Sequence, residues 1–284
     1  VKESKVTDIG EMVSPPDVHT EPNEECPFCP PAKEDNYTSF PGAKNDSGKL
    51  ASIMESPSKL TSLQPGARPQ TGKSNDDGYQ VEQDEIAARL EDKNTWYTHQ
   101  AHHLISGKQA LDGSPMEDWL VGGSKIDKDT GYSVNSTGNG FWAPSVPKEY
   151  IGKWGPKKKI LTDEQRQAQA EAVMKASGAQ AHIGPHNISD PDDPEGDIHE
   201  SYDKYIKKKL VAISDRVQAW SSKCGFCDDK EGKPQTTYRV NVIMDRLSSH
   251  LKTEITGPRG SWRIFLSKYA RDYHKPACKH GEVI

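Results

Sequence analysis

Apolar residues recur at steps of three and four through much of the second half of the chain, and that spacing predicts helices. The clearest case is "DIHESYDKYIKKKLVAISDRVQAW", where Ile198, Tyr202, Tyr205, Ile206, Leu210, Ile213, Val217 and Trp220 share one face. Asp197 and Glu200 have capping-box spacing at its start. "LTDEQRQAQAEAVMKASG" reads as a second helix, opened by a Thr162–Gln165 capping box and stopped by Gly178. "YRVNVIMDRLSSHL" and "GSWRIFLSKYARDY" predict two more, with Val240, Ile243, Met244, Leu247 and Leu251 on one and Trp262, Phe265, Leu266 and Tyr269 on the other. "VEQDEIAARLEDK" fits a helix carrying Val81, Ile86 and Leu90. Between these, "NTWYTHQAHHLIS" reads as an extended run, and "GYSVNSTGNGFWAP" as a turn at Gly138-Asn139-Gly140 leading into a short aromatic strand.

Residues 1–80 show neither period. "SPPDVHTEPNEECPFCPPAKED" and "SLQPGARPQTGKSNDDG" are rich in breakers and predict an extended arm, with a turn at Cys26–Cys29 and at most one short helix in "KLASIMESPSKL". The pattern gives an α+β, mainly helical protein in three parts: an arm over 1–80, a core over 81–220 and a helical extension over 221–284. The two CxxC pairs are the one internal repeat.

Composition agrees with an arm outside the core. Hydrophobic residues make up 32% and charged residues 28%, with 20 Pro and 23 Gly among 284 residues. The net charge of −5 carries no global basic signature, so any nucleic-acid contact must come from a local patch or a metal. Lys157, Lys158 and Lys159, and Lys207 and Lys208 within "KYIKKKL", are the local patches; a charged loop and a solvated helix face are their plain readings. No 18-residue apolar run predicts a membrane span. "VKESKVTDIGEMVSPPD" lacks the apolar stretch of a signal peptide. The first residue is Val, which leaves a fragment and a processed product both open.

The histidines cluster. His99, His102 and His103 fall within five positions, "HIGPH" adds His182 and His186, and His199 follows. Neutral imidazole is a good ligand for divalent metals. Neighbouring residues on a strand point to opposite faces, so His102 and His103 cannot share a role: one can face a metal and the other a water or substrate. Pro185 is tolerated only in a first helical turn, which places His182 at the entry of a short helix and His186 just inside it. His99 reads as support and His199 as part of a helix start.

Cys224 and Cys227 form a CxxC, and Cys278 with His280 lies beyond two predicted helices. These four make one candidate structural zinc site, with His274 able to replace His280. Cys26 and Cys29 compete, by joining Cys224 and Cys227 as a four-cysteine set that pins the arm. A reduced or disulfide-bonded pair is the alternative to metal, and five cysteines cannot all pair.

"QAHHLIS", "GNGFWAP" and "AHIGPH" before a Tyr-rich helix resemble the AHH-type nucleases of the HNH/endonuclease VII superfamily, over about residues 96–211. The resemblance implies a small ββα-metal core with added helices. It implies His103 as the general base, Asn139 as a residue that orients the base or braces its loop, and His102, His182 and His186 as ligands of one divalent ion (Mg²⁺, Mn²⁺ or Zn²⁺). The chain departs from the family in placing "NISDPDDPEGDI" before the helix, which makes His199 an alternative to His186. A second departure is the long interval between His103 and Asn139, read as a loop over the site.

The function implied is a largely sequence-nonspecific DNase acting as an antibacterial toxin. It would leave the producing cell through a specialised secretion system without a signal peptide and act in the target cytoplasm, with a cognate immunity protein in the producer. An RNase with the same site is the near alternative, and a noncatalytic zinc-stabilised interaction module the distant one. A zinc peptidase is disfavoured, because the chain has no HExxH.

Overall fold

The computed structural model describes residues 26–29, 40–54, 79–82, 94–145, 162–185, 188, 200–224 and 239–277. They fall into two compact units, one within Val1–Asn45, Ile105–Asn139 and Tyr205–His250, the other within Asp46–Leu104, Gly140–Lys204 and Leu251–Ile284.

In the second unit three antiparallel strands, β1 (Tyr79–Glu82), β2 (Asn94–His103) and β3 (Gly140–Ser145), form a sheet in the order β1-β2-β3. β1 pairs with the first part of β2, Tyr79 opposite Tyr97 and Glu82 opposite Asn94. β3 pairs with the rest, Thr98 opposite Ser145 and His103 opposite Gly140. Helix α1 (Ser47–Ile53) is capped by Asp46, whose side chain accepts from the Lys49 N–H at 2.9 Å. Leu50 and Met54 pack with Trp142 and Ala101, so α1 covers the strand face that carries Ala101 and Trp142. Gly140 belongs to that face: a Cβ there would clash with Met54 Sδ.

Helix α2 (Asp163–Ser177) has the capping box expected of Thr162 and Gln165, and Gly178 ends it at φ +69°. Ala170, Val173 and Met174 of α2 pack with Trp262, Phe265, Tyr269 and Tyr273. The helix expected over "GSWRIFLSKYARDY" is shorter than its pattern. Only α5 (Lys268–His274) is α-helical, with Ser267 as N-cap. Gln180 explains the difference. Its buried amide donates to the Ile264 carbonyl at 2.8 Å and accepts from the Leu266 N–H at 2.9 Å, holding 264–266 outside helical geometry. Gln180→Ala is expected to cost about 2–4 kcal/mol, since it strands two buried backbone groups; chemical denaturation measures this, and a loss below about 0.5 kcal/mol contradicts the account.

The long helices α3 (Tyr202–Ser221) and α4 (Arg239–Thr256) carry the predicted faces. Tyr202, Ile206, Leu210, Ile213, Val217 and Trp220 are buried on α3, and Val240, Ile243, Met244, Leu247 and Leu251 on α4. α3 starts at Tyr202, so Glu200 precedes it; Asp197 and Ile198 lie outside the described residues. In the first unit, residues 105–139 are a built segment and not an open loop. They form a π turn at Gly107–Leu111 and short 3-10 turns at Glu117–Trp119 and Thr137–Asn139, with Leu111, Met116, Trp119, Leu120, Ile126 and Val134 buried. The Ser214 hydroxyl of α3 donates to the Pro115 carbonyl at 3.1 Å, and Asn241 of α4 to the Thr130 carbonyl at 3.0 Å.

Two further expectations are corrected. Val81, read as helical, lies in β1 opposite Thr95, while Ile86 and Leu90 lie outside the described residues. "AHIGPH" opens no helix at His182, because Gly184 adopts φ +78°, which a right-handed helix cannot include.

Candidate active site

His102 is buried near the end of β2. Its Nε2 lies 3.3 Å from the Tyr202 hydroxyl, and that hydroxyl donates its single hydrogen to the Leu104 carbonyl at 2.8 Å. A carbonyl cannot donate, so the Tyr202 oxygen must accept from His102. His102 is therefore the Nε2–H tautomer, with its lone pair on Nδ1. Burial pushes the Tyr202 phenol well above its usual range, so it stays a neutral donor.

His182 approaches from the segment after α2. Its N–H donates to the Pro144 carbonyl at 2.7 Å, and Ser145 Oγ donates to the His182 carbonyl at 2.7 Å. The end of β3 thus fixes its backbone on both sides. His182 Nδ1 stands 3.1 Å from Gln100 Oε1, an acceptor, which places the proton on Nδ1 and the lone pair on Nε2. Gln100 and His102 are two apart on β2, so strand alternation brings both to one face.

The two imidazole ring centres are 5.0 Å apart at 51°. Two imidazoles on one tetrahedral ion, at a metal–nitrogen distance of about 2.1 Å, have ring centres about 5 Å apart. Each ring has its other nitrogen hydrogen-bonded to a protein oxygen, the arrangement that fixes the tautomer of metal-binding histidines. The donor set fits a divalent ion. His186 and His199 lie outside the described residues.

His103 is buried, opposite Gly140 in the strand register. Alternation puts it on the other face of β2 from His102, the face on which α1 packs. His99 is also buried, and desolvation pulls its pKa down to about 4, so it is neutral at pH 7.

Asn139, in the first unit, is buried and saturated. Its Oδ1 accepts from the Ile105 N–H at 2.7 Å and from Ser248 Oγ at 2.9 Å. Its Nδ2 donates to the carbonyls of Ile105 at 2.9 Å and Val134 at 2.8 Å. Those four bonds use the whole capacity of a carboxamide. Asn139 thus clamps the main chain two residues after His103.

Lys207 and Lys208 are exposed on α3, while Lys157, Lys158 and Lys159 lie outside the described residues. Of the cysteines, Cys26, Cys29 and Cys224 are buried together, their sulfurs all within 4.8 Å of one another, so this trio can hold a metal ion. Among the described residues it is the one such group of three or more ligands. Cys227, Cys278 and His280 lie outside the described residues. His274 is not in the trio; it stacks on Trp262, and its Nδ1 donates to the Arg259 carbonyl. No helix among the described residues is long and apolar enough to cross a membrane.

Sequence reasoning placed Tyr202 on an apolar helix face and passed over Gln100. Gln100 had a signal, its period-two spacing from His102. The Tyr202 hydroxyl had none, because its partners lie about a hundred residues away.

No curated protein and no solved structure gives a match to the chain. A family model does: it describes a nuclease family of the HNH/ENDO VII superfamily with conserved AHH, and it matches residues 84–224. Ala101-His102-His103 is that tripeptide in this chain. Over residues 84–224 the chain belongs to the AHH nuclease family of the HNH/ENDO VII superfamily.

Proposed function

We propose that this domain is a metal-dependent, largely sequence-nonspecific endonuclease that hydrolyses DNA, built on a ββα-metal core. The observation that carries the reading is the pairing of His102 with His182, each ring oriented by a protein oxygen and both at the spacing of a shared ion. His102 Nδ1 and His182 Nε2 would hold the ion, with His186 or His199 completing the set. A divalent ion held there supplies charge stabilisation to the scissile phosphate and the departing 3′ oxygen.

The protein's own groups do the rest. His103 takes the proton from the attacking water as the new oxygen–phosphorus bond forms. Asn139 is a positioning residue, acting through the Ile105 main chain. Lys207 and Lys208, and the 157–159 lysines, are the candidate phosphate contacts. The family resemblance further supports an antibacterial effector toxin, passed to target cells by a specialised secretion system and restrained in the producer by an immunity protein. RNA offers the same phosphodiester, and parallel digests of DNA and RNA separate the two substrates.

Tyr202→Phe tests the geometry of the ion site. It deletes the acceptor of the His102 Nε2–H and frees the ring to turn. The metal concentration giving half-maximal plasmid cleavage is expected to rise about 10- to 100-fold, the usual cost of losing such an orienting partner. An unchanged metal dependence would show that Tyr202 does not orient a ligand.

A further inference from the structure

The phosphodiester site uses none of the cysteines, yet three that are far apart in sequence share one buried place. We propose that Cys26, Cys29 and Cys224 bind a structural zinc ion as thiolates, fastening the turn at 26–29 to the segment that ends α3.

The spacing is that of a zinc–thiolate tetrahedron. Sulfurs about 2.3 Å from a tetrahedral zinc lie about 3.8 Å from one another. Cys29 Sγ and Cys224 Sγ are 3.7 Å apart, and every pair of the three lies within 4.8 Å. All three residues are fully buried. Arg239 Nη1 donates to the Cys26 carbonyl at 3.2 Å, bringing the start of α4 and a positive charge to a site of several thiolates. Phe28 meets Trp119 edge-on with ring centres 5.6 Å apart, so the turn is also anchored by packing.

Three soft thiolates without a carboxylate select zinc over magnesium or calcium. Three thiolates leave one position on a tetrahedral zinc for a fourth donor. Cys29 and Cys224 are 195 positions apart, and a chain closure of that span is entropically costly without a bond to hold it. Cys26 and Cys29 precede the family-matched region 84–224, and Cys224 is its last residue. Nuclease activity neither requires nor excludes the site.

The full chain, purified from zinc-supplemented culture, is analysed for metal per protein. In His102→Ala, which lacks a ligand of the active-site ion, about one zinc per chain is expected, the load of a single tetrahedral site. That zinc should be lost when Cys29→Ser or Cys224→Ser is added. The wild-type chain reloaded with cobalt should show sulfur-to-cobalt charge-transfer bands and the visible bands of a tetrahedral ion, which tests the ligands even if a cysteine variant does not fold. A wild-type chain without zinc, a cobalt spectrum without thiolate bands, zinc retained at full occupancy when Cys29→Ser is added to His102→Ala, or a Cys29–Cys224 disulfide found by mass spectrometry would each overturn the proposal.

Discussion

Replacing His103 by alanine is expected to lower DNA cleavage by about 10²- to 10⁴-fold, the range a positioned general base contributes. The loss should fall on the rate at saturating metal, with metal affinity unchanged. The reason is the alternation of β2, which gives His102 to the face of Gln100 and His103 to the opposite face. His102→Ala should behave differently, losing metal affinity and rate together. Growth arrest on expression in bacteria, which the toxin reading requires, should vanish with His103→Ala. Cleavage by that variant at the wild-type rate would remove His103 from the role of base even if the domain is a nuclease.

Asn139→Ala carries the largest expected effect on stability. The side chain makes four hydrogen bonds to groups of residues 105, 134 and 248, and it is fully buried. Its removal leaves an N–H, two carbonyls and a hydroxyl without that partner, and each stranded buried group costs about 1–3 kcal/mol. A total of about 4 kcal/mol or more is expected, measured by denaturant unfolding. Asn139→Asp is expected to fail as well, because a carboxylate cannot donate to the carbonyls of Ile105 and Val134. A loss of under about 1 kcal/mol would mean that the clamp on the chain after His103 is not structural.

Both substitutions concern residues that the sequence singled out, and the structure shows how far such reading reaches. Period and capping chemistry are local properties. They sufficed for α2, down to its capping box and its Gly178 stop, and for the buried faces of α3 and α4. They misjudged Trp262 to Leu266, whose apolar spacing fits a helix, because a distant Gln180 takes their backbone hydrogen bonds. They misjudged "AHIGPH" because the backbone reversal at Gly184 outweighs the spacing of its histidines. The convergence of His102 and His182 was legible only as two histidine motifs. What orients them, Tyr202 and the Gln100 amide, emerges only when β2 meets the segments that follow it in sequence by about a hundred residues or fewer. The cysteines posed the same problem. Spacing offered Cys224, Cys227, Cys278 and His280 first and a four-cysteine set with Cys26 and Cys29 as the alternative, and the tertiary structure gathers Cys224 with Cys26 and Cys29.

Incubation of the purified chain with supercoiled plasmid, in Mg²⁺, Mn²⁺ or Zn²⁺ and again with EDTA, tests the central claim most directly. Conversion to nicked and then linear and fragmented DNA is expected with at least one of these metals, with no preferred cutting sequence and no cleavage in EDTA. Plasmid and RNA both left intact with every metal, or cleavage that continues undiminished in EDTA, would contradict a metal-dependent nuclease built on His102, His103 and His182.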